Sequence, residues 1–252
     1  MTVACGVDGC KRGWIAVSRQ DRGEPSVAVH PTFAELIAAL PDDATIAVDM
    51  PIGLPERVGH GGRGPEALVR KKLGQRQSSV FSIPSRAAVY AELEPFSTLE
   101  AWYAAHRRAS AVARETSEPP RGISIQAFGI FSKIREIDAL LRAETILRAR
   151  VIESHPEVAF WRLNGEAAMT TPKKIKGAVN RVGMEERKQL LARCGIGRQF
   201  LDLPTPRGAA EDDFLDASAM LLIAERHRAG LAVPFPNPPL ADAYRIPIAI
   251  WA

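Results

Sequence analysis

The side chains of this chain that could act together chemically are acids. Three short apolar stretches each finish in a carboxylate: Val3-Ala4-Cys5-Gly6-Val7-Asp8, Thr45-Ile46-Ala47-Val48-Asp49 and Arg150-Val151-Ile152-Glu153. Asp213 and Asp216 lie three residues apart in a helical stretch, which puts them on one face. In an α/β sheet, ligands collect at the carboxyl ends of strands, where such acids would meet. Carboxylates gathered there without counter-charge repel each other, and burial pushes each towards protonation. A hard divalent cation removes the conflict, because Mg²⁺ and Mn²⁺ favour carboxylate oxygen and water. Asp8, Asp49, Asp213 and Asp216 are therefore the candidate metal ligands, and Glu153 is a further candidate catalytic acid. The competing explanation is local. Acids in a first helical turn gain roughly 0.3–1 kcal/mol from the helix dipole, which accounts for Glu211, Asp212 and part of the case for Asp213. A lone acid at a strand end is commonly a turn or cap residue. The coincidence of several such placements is what points to a shared site.

Other groups fall around these acids. Lys11, in Asp8-Gly9-Cys10-Lys11, is placed to contact a phosphate. His155, two residues beyond Glu153, is a candidate proton shuttle near neutral pH, or else a turn histidine at a helix start. Arg70, Lys71, Lys72, Arg76 and Arg86 form the densest basic stretch, and Lys173, Lys174 and Lys176 form another. With Lys11, the residues Arg76, Arg86, Lys173 and Lys174 are the candidate substrate contacts, gripping a phosphate backbone by charge. Their competing role is a solvated face. Ser78, Ser79 and Ser85 lack a visible His/Asp partner set, which argues against a serine hydrolase. Trp14, Trp102 and Trp161 are too irregularly spaced for a base-stacking platform.

These residues need elements to hold them. Val3–Asp8, Trp14–Ser18 and Ser26–His30 read as strands joined by glycine-containing turns, an antiparallel meander. Thr32 can cap a short helix over 33–40, stopped at Pro41. Thr45–Asp49 is a fourth strand and Arg150–Glu153 a fifth. The order β-β-β-α-β makes the chain α/β. Between the fourth and fifth strands, helices are expected over 66–73 and 99–116, with Gly59-His60-Gly61-Gly62-Arg63-Gly64 a mobile loop and 78–86 extended or looped. Ile125, Phe128, Phe131, Ile134, Ile137 and Leu141 form one apolar helix face. Ser154 and Glu157 have capping-box spacing around Pro156. Thr171–Gly177 reads as basic and exposed, Glu185–Arg193 as a helix ended by Gly195, and Ala210–His227 as the last long helix. The proline-rich tail closes on an edge strand, Ile246–Trp251. No boundary divides two cores, so residues 1–252 are expected to form a single domain.

The 252 residues are 46% hydrophobic and 25% charged, which suits a globular fold with an aliphatic core. A net charge of +4 fits a phosphate-rich partner without demanding one. The three cysteines, Cys5, Cys10 and Cys194, form neither a disulfide framework nor a CxxC zinc pair. No basic segment leads into an apolar run near the start, and no stretch reaches the roughly 18 apolar residues of a membrane span. A cytoplasmic protein with no membrane partner is expected.

The motifs also carry a resemblance. Gly6-Val7-Asp8-Gly9-Cys10-Lys11-Arg12-Gly13-Trp14, Val48-Asp49-Met50-Pro51-Ile52-Gly53-Leu54-Pro55, Ser78-Ser79-Val80-Phe81, Ser124-Ile125-Gln126-Ala127-Phe128, Glu153-Ser154-His155-Pro156-Glu157, Lys173-Lys174 and Asp212-Asp213-Phe214-Leu215-Asp216-Ala217 resemble, in order, the motifs of a family of predicted ribonuclease H-like nucleases. It is the domain-of-unknown-function family numbered four hundred and twenty-nine, and the resemblance covers essentially the whole chain. It implies a ribonuclease H-like fold: a five-stranded mixed sheet, its first three strands antiparallel, flanked by helices and carrying a helical insertion. Asp213-x-x-Asp216-Ala217 is also similar to the acidic helix of Holliday-junction resolvases in that superfamily. By that resemblance Asp8, Asp49, Asp213 and Asp216 bind divalent metal. Glu153 rests on the first family's own motif. The stretch Arg63–Arg70 departs from the family pattern, because the aspartate expected there is missing unless Glu66 substitutes.

The function expected from this combination is two-metal hydrolysis of nucleic-acid phosphodiesters with Mg²⁺ or Mn²⁺. Two alternatives remain. Asp8-Gly9-Cys10-Lys11 also resembles the phosphate loop of actin-like kinases, although no second Asp-Gly loop follows. A non-catalytic module binding nucleic acid or a nucleotide is the other.

Overall fold

The computed structural model describes residues 2–252. Its centre is a five-stranded sheet made of β1 (Val3–Cys10), β2 (Gly13–Gln20), β3 (Ser26–His30), β4 (Thr45–Asp49) and β5 (Val151–Ser154), in the order β3-β2-β1-β4-β5. The first three strands pair antiparallel, and β1, β4 and β5 run parallel. The expected mixed α/β sheet is therefore present. Helix α1 (Phe33–Ala38), capped by Thr32 Oγ1 on the Glu35 amide at 3.1 Å, returns the chain from β3 to β4.

The segment between β4 and β5 is helical: α2 (Pro65–Arg70), α3 (Arg86–Val89), α4 (Leu99–Glu115), α5 (Ile125–Phe128) and α6 (Phe131–Ala143). The single apolar face foreseen over 125–141 is split between α5 and α6 by a break at Gly129-Ile130. Ile125 is exposed, but Phe128 of α5 and Phe131, Ile134, Ile137 and Leu141 of α6 are buried against one face of the sheet, with Val7, Trp14, Ile46, Val48 and Val151. After β5 come α7 (Pro156–Leu163), a small hairpin β6 (Lys174–Ile175) and β7 (Ala178–Val179), α8 (Arg181–Arg193), α9 (Arg198–Leu201) and α10 (Glu211–Arg228). The chain ends in a hairpin of β8 (Pro234–Ala241) and β9 (Pro247–Trp251), joined to β5 where Ser154 Oγ donates to the Trp251 carbonyl at 2.7 Å. Ser154 is thus a strand residue, not the helix cap its spacing suggested. His155 caps α7 instead. The prolines of β8 are tolerated because a two-stranded edge leaves many amides without a ladder partner.

Helix α10 is buried along most of its length and covers the opposite sheet face, against Ala4, Ile15, Val17 and Ala47. The close approach is made at Gly6. A Cβ added there would lie 1.9 Å from the Leu221 nitrogen and 2.1 Å from the Ala217 oxygen, both backbone atoms of α10. Gly6→Ala is expected to push the helix off the sheet and cost about 2–3 kcal/mol. By thermal denaturation the midpoint should fall by roughly 5–10 °C. A shift within a degree of wild type would mean the contact is looser than described.

Candidate metal centre

Period-two alternation along the parallel strands decides which acids meet. Val7 of β1 pairs with Val48 of β4, so the next residues, Asp8 and Asp49, project together towards α10. Asp216, one turn into α10, faces them. Oxygens of Asp8, Asp49 and Asp216 all lie within 4.8 Å of one another. Asp8 and Asp216 are buried and Asp49 is half-buried. Asp8 Oδ1 accepts the Gly9 amide at 2.6 Å. Asp216 Oδ2 is ion-paired with Lys173 Nζ, while Asp216 Oδ1 is buried with no hydrogen-bond partner among the described residues.

The electrostatics follow from this crowding. Burial, then the charges of Asp49 and Asp216, raise the pKa of Asp8 well above its ordinary 3.8. Burial and then Asp216 lift Asp49 to about 8, against the pull of Lys173. Burial lifts Asp216 to about 6 although Lys173 opposes it. Hard oxygen donors, mutual repulsion and an unsatisfied carboxylate oxygen together fit a divalent cation. Among the residues proposed for metal, Asp8, Asp49 and Asp216 are brought together.

The triad opens into a cavity of about 290 Å³. Its apolar wall includes Phe81, Ile83, Ile130 and Ile250, and its polar wall includes Glu66, Arg63, Glu153, Lys133, Lys173 and Glu157. Lys133 donates to the Gly13 carbonyl at 2.6 Å and sits 4.4 Å from the centre of the Trp14 ring. Burial lowers its pKa, while Glu136, Cys10 and Asp8 act in the opposite direction.

Several expected roles are corrected. Glu153 pairs with Val48, one residue out of step with Asp49, so it leaves the sheet by the other face. There it meets Arg63 in a two-point ion pair, Nη2 to Oε1 at 2.6 Å and Nη1 to Oε2 at 3.0 Å, and accepts the Ile52 amide at 2.7 Å. Both oxygens are spent, so Glu153 holds the cavity wall and is not a free catalytic acid. Asp213 lies outside the triad, and its Oδ2 accepts the Ala210 amide at 2.8 Å, closing the start of α10. His155 Nδ1 accepts the Glu157 amide at 3.2 Å, which leaves Nε2–H to face the Ser79 carbonyl at 3.3 Å. With burial lowering its pKa to about 4, it is a neutral cap at pH 7 and not a proton shuttle.

The basic candidates scatter. Lys11 is exposed in the β1–β2 turn and lines a separate shallow groove with Arg12, Arg207 and Asp213. Arg86 is buried between Asp138 and Asp242, the latter at 2.7 Å, and ties α3 to α6 and the terminal hairpin. Lys174 pairs with Asp212 at 2.6 Å. Arg76 lies in a 3₁₀ turn, Gly74–Ser79, outside the residues that line the cavity. Of the proposed substrate contacts, the structure brings only Lys173 into the cavity.

Three residues of the site, Arg63, Glu157 and Lys133, were not foreseen as such, and Glu66 was expected only as a substitute for an absent aspartate. Arg63 is fully buried in the glycine-rich segment, which is therefore an anchored loop and not a mobile one. It donates to the Ile52 carbonyl at 2.7 Å and to Glu66 Oε1 at 2.8 Å besides Glu153. A charged residue set among glycines was the available signal. Glu66 supplies a buried carboxylate that accepts from Arg63 at 2.8 Å. Glu157 pairs with Arg187 at 2.8 Å and leaves Oε2 buried without a partner. Lys133 stands beside the apolar stripe of α6 and gave no signal.

The raised carboxylates set a pH dependence for the metal-free protein. Asp49 and Asp216 bind protons more tightly folded than unfolded, so their stabilising effect is present at low pH and is lost as pH rises through about 6 and about 8. In EDTA the melting temperature should fall between about pH 5.5 and pH 8, and added Mn²⁺ should recover more of it at the higher pH. A melting temperature that climbs over this range in EDTA would contradict the arrangement.

Among the described residues no helix is long and apolar enough to cross a membrane. Residues 6–241 match a protein-family model described as "Protein of unknown function (DUF429)". No curated protein and no solved structure matches the chain. This corrects the expectation of a ribonuclease H-like nuclease family. The matching family is described only as one of unknown function, and membership of the ribonuclease H-like superfamily is not shown.

Proposed function

From the premise that the chain belongs to the DUF429 family, we propose that it is a metal-dependent phosphodiesterase acting on nucleic acid. The observation that carries this reading is the convergence of Asp8, Asp49 and Asp216 at one end of a partly enclosed cavity. Mg²⁺ or Mn²⁺ held by these three carboxylates would supply Lewis-acid polarisation of the phosphoryl group and a water of lowered pKa.

The chain's own groups have definable tasks. Lys173 keeps Asp216 ionised and presents an ammonium to charge that builds on a phosphoryl oxygen. Phe81, Ile83 and Ile130 keep bulk water from the reacting end, which strengthens every charge interaction there. Arg63 fixes the loop that forms the opposite wall. Among the described residues that line the cavity, no side chain is prepared as a nucleophile. Ser79 Oγ donates to the Arg76 carbonyl at 2.7 Å and Ser154 Oγ to Trp251, so neither hydroxyl proton is directed at a base. Water is the attacking group under this reading.

The Lys173–Asp216 ion pair favours a second reading, because a lysine can neutralise a carboxylate in place of a cation. The protein would then bind nucleic acid or a nucleotide without turnover. The actin-like phosphotransfer reading has less support, since Lys11 lies outside the cavity.

The discriminating experiment incubates the protein and Mn²⁺ or Mg²⁺ with single- and double-stranded DNA, RNA, branched junctions and bis-p-nitrophenyl phosphate. Hydrolysis of at least one, lost in EDTA and restored by Mn²⁺, is expected. Metal binding with no hydrolysis of any of them would favour the second reading. Hydrolysis indifferent to EDTA would contradict both.

A further inference from the structure

A second charged site lies away from the triad, with the opposite sign. A groove of about 670 Å³ is formed where β2 ends, where α7 and α8 end and where α10 ends. Arg226 comes ten residues after Asp216, about 15 Å along the helix axis, so the groove lies towards the far end of α10 from the triad.

The groove carries more cations than acids, Arg19, Arg22, Arg162, Arg226 and Arg228 against Asp21 and Glu225. In this groove Arg19 takes both oxygens of Glu225, at 2.7 and 2.6 Å, and Asp21 is bound to Thr2. Asp21 meets only the amide and hydroxyl of Thr2, so its charge stays in the groove beside Arg22, and the arginines still outnumber the acids. Arg162 gives one nitrogen to the exposed Glu166, outside the groove, and its Nε is buried and unpartnered. Arg226 donates one nitrogen to the Leu231 carbonyl at 3.0 Å, and its Nε is likewise buried and unpartnered. Arg22 and Arg228 are exposed and meet no carboxylate among the described residues. Burial, and secondly the charge of Arg162, lower the pKa of Arg226, so the two guanidinium groups stand close enough to repel each other. The position of Arg226 and Arg228 in the last turn of α10 is itself favoured by the helix dipole. That accounts for their presence there but not for their convergence with Arg22 and Arg162 from other elements.

We propose that this groove is a binding site for a phosphate group, separate from the metal centre. Guanidinium forks match phosphate oxygens in geometry, and a dianion would neutralise Arg22, Arg226 and Arg228, which make no ion pair among the described residues. The phosphate could belong to a small phosphorylated ligand or to a nucleic-acid backbone. The proposal stands whether or not the triad hydrolyses anything.

Calorimetric titration of the full chain in EDTA at low ionic strength tests it, with pyrophosphate and inorganic phosphate as probes. Wild type should bind pyrophosphate, and the binding should weaken as salt is added. Arg226→Gln should weaken it about tenfold, the loss of one charge-assisted contact. The exposed Arg228→Gln should weaken it too, which guards against a folding defect in the first variant. Asp8→Asn should bind as wild type does. A length series of single-stranded oligonucleotides then identifies the source. Affinity that grows with length marks a nucleic-acid backbone, and affinity equal to that of pyrophosphate marks a small ligand. No binding by wild type, binding unchanged in both arginine variants, or binding lost in Asp8→Asn would overturn the proposal.

Discussion

Asp8→Asn should severely weaken divalent-cation binding while making the metal-free protein more stable. The two effects share one cause. Asp8 is buried beside Asp49 and Asp216 and is displaced towards protonation by burial and then by their two charges, while burial foremost raises the other two. Replacing Asp8 by a neutral amide of similar shape removes its repulsion with Asp49 and Asp216. The metal-free variant should then melt several degrees above wild type. The same change removes an anionic ligand and should weaken Mn²⁺ binding on the order of 100-fold or more, with hydrolysis falling at least as far. Asp49→Asn should behave alike. Titration calorimetry with Mn²⁺ and thermal melts in EDTA check both arms. A variant that melts lower than wild type and binds Mn²⁺ equally well would show that Asp8 is a structural acid.

Arg63→Ala should produce the largest loss of stability. The guanidinium is fully buried and serves two buried acids, Glu153 and Glu66, as well as the carbonyls of Ile52 and Gly53. Removing it leaves two carboxylates in a low-dielectric wall without a counter-charge. Breaking a buried pair in this one-sided way costs about 3–5 kcal/mol, or roughly 10 °C in a chain of this size. Combining Arg63→Ala with Glu153→Gln should restore part of the loss, because the stranded charge goes with it. A single variant within about 1 kcal/mol of wild type, or a double variant no better than the single, would mean that the ion pair contributes little. Because the same loop walls the cavity, hydrolysis should fall in Arg63→Ala even below its melting temperature.

Local pattern carried most of the fold. The five sheet strands follow from apolar runs and glycine turns, and α1, α4 and α10 from caps and periodicity, with ends within a few residues of those observed. Two members of the triad, Asp8 and Asp49, were legible because a strand-final acid in parallel neighbours must arrive at one edge. Asp216 was legible because an acid inside an apolar helix has few other uses. Glu153 misled because sequence shows that a strand ends in an acid, but not the register that chooses its face. One residue of offset sent it to the other side. The basic stretches misled for a related reason. Arg86 and Lys174 look like a solvated or substrate-facing charge until their partners, Asp138, Asp242 and Asp212, arrive from distant segments. Arg63 was hidden by its neighbours. Glycines on both sides suggested a mobile loop, whereas they let the backbone fold tightly around a buried ion pair.

The central claim is that Asp8, Asp49 and Asp216 share a cation. Crystals grown with Mn²⁺ and measured at a wavelength where manganese scatters anomalously test it most directly. A peak is expected between these three carboxylates, with Lys173 turned away from Asp216 to admit the ion. A structure at saturating Mn²⁺ with no peak there, and with the Lys173–Asp216 pair intact, would contradict it.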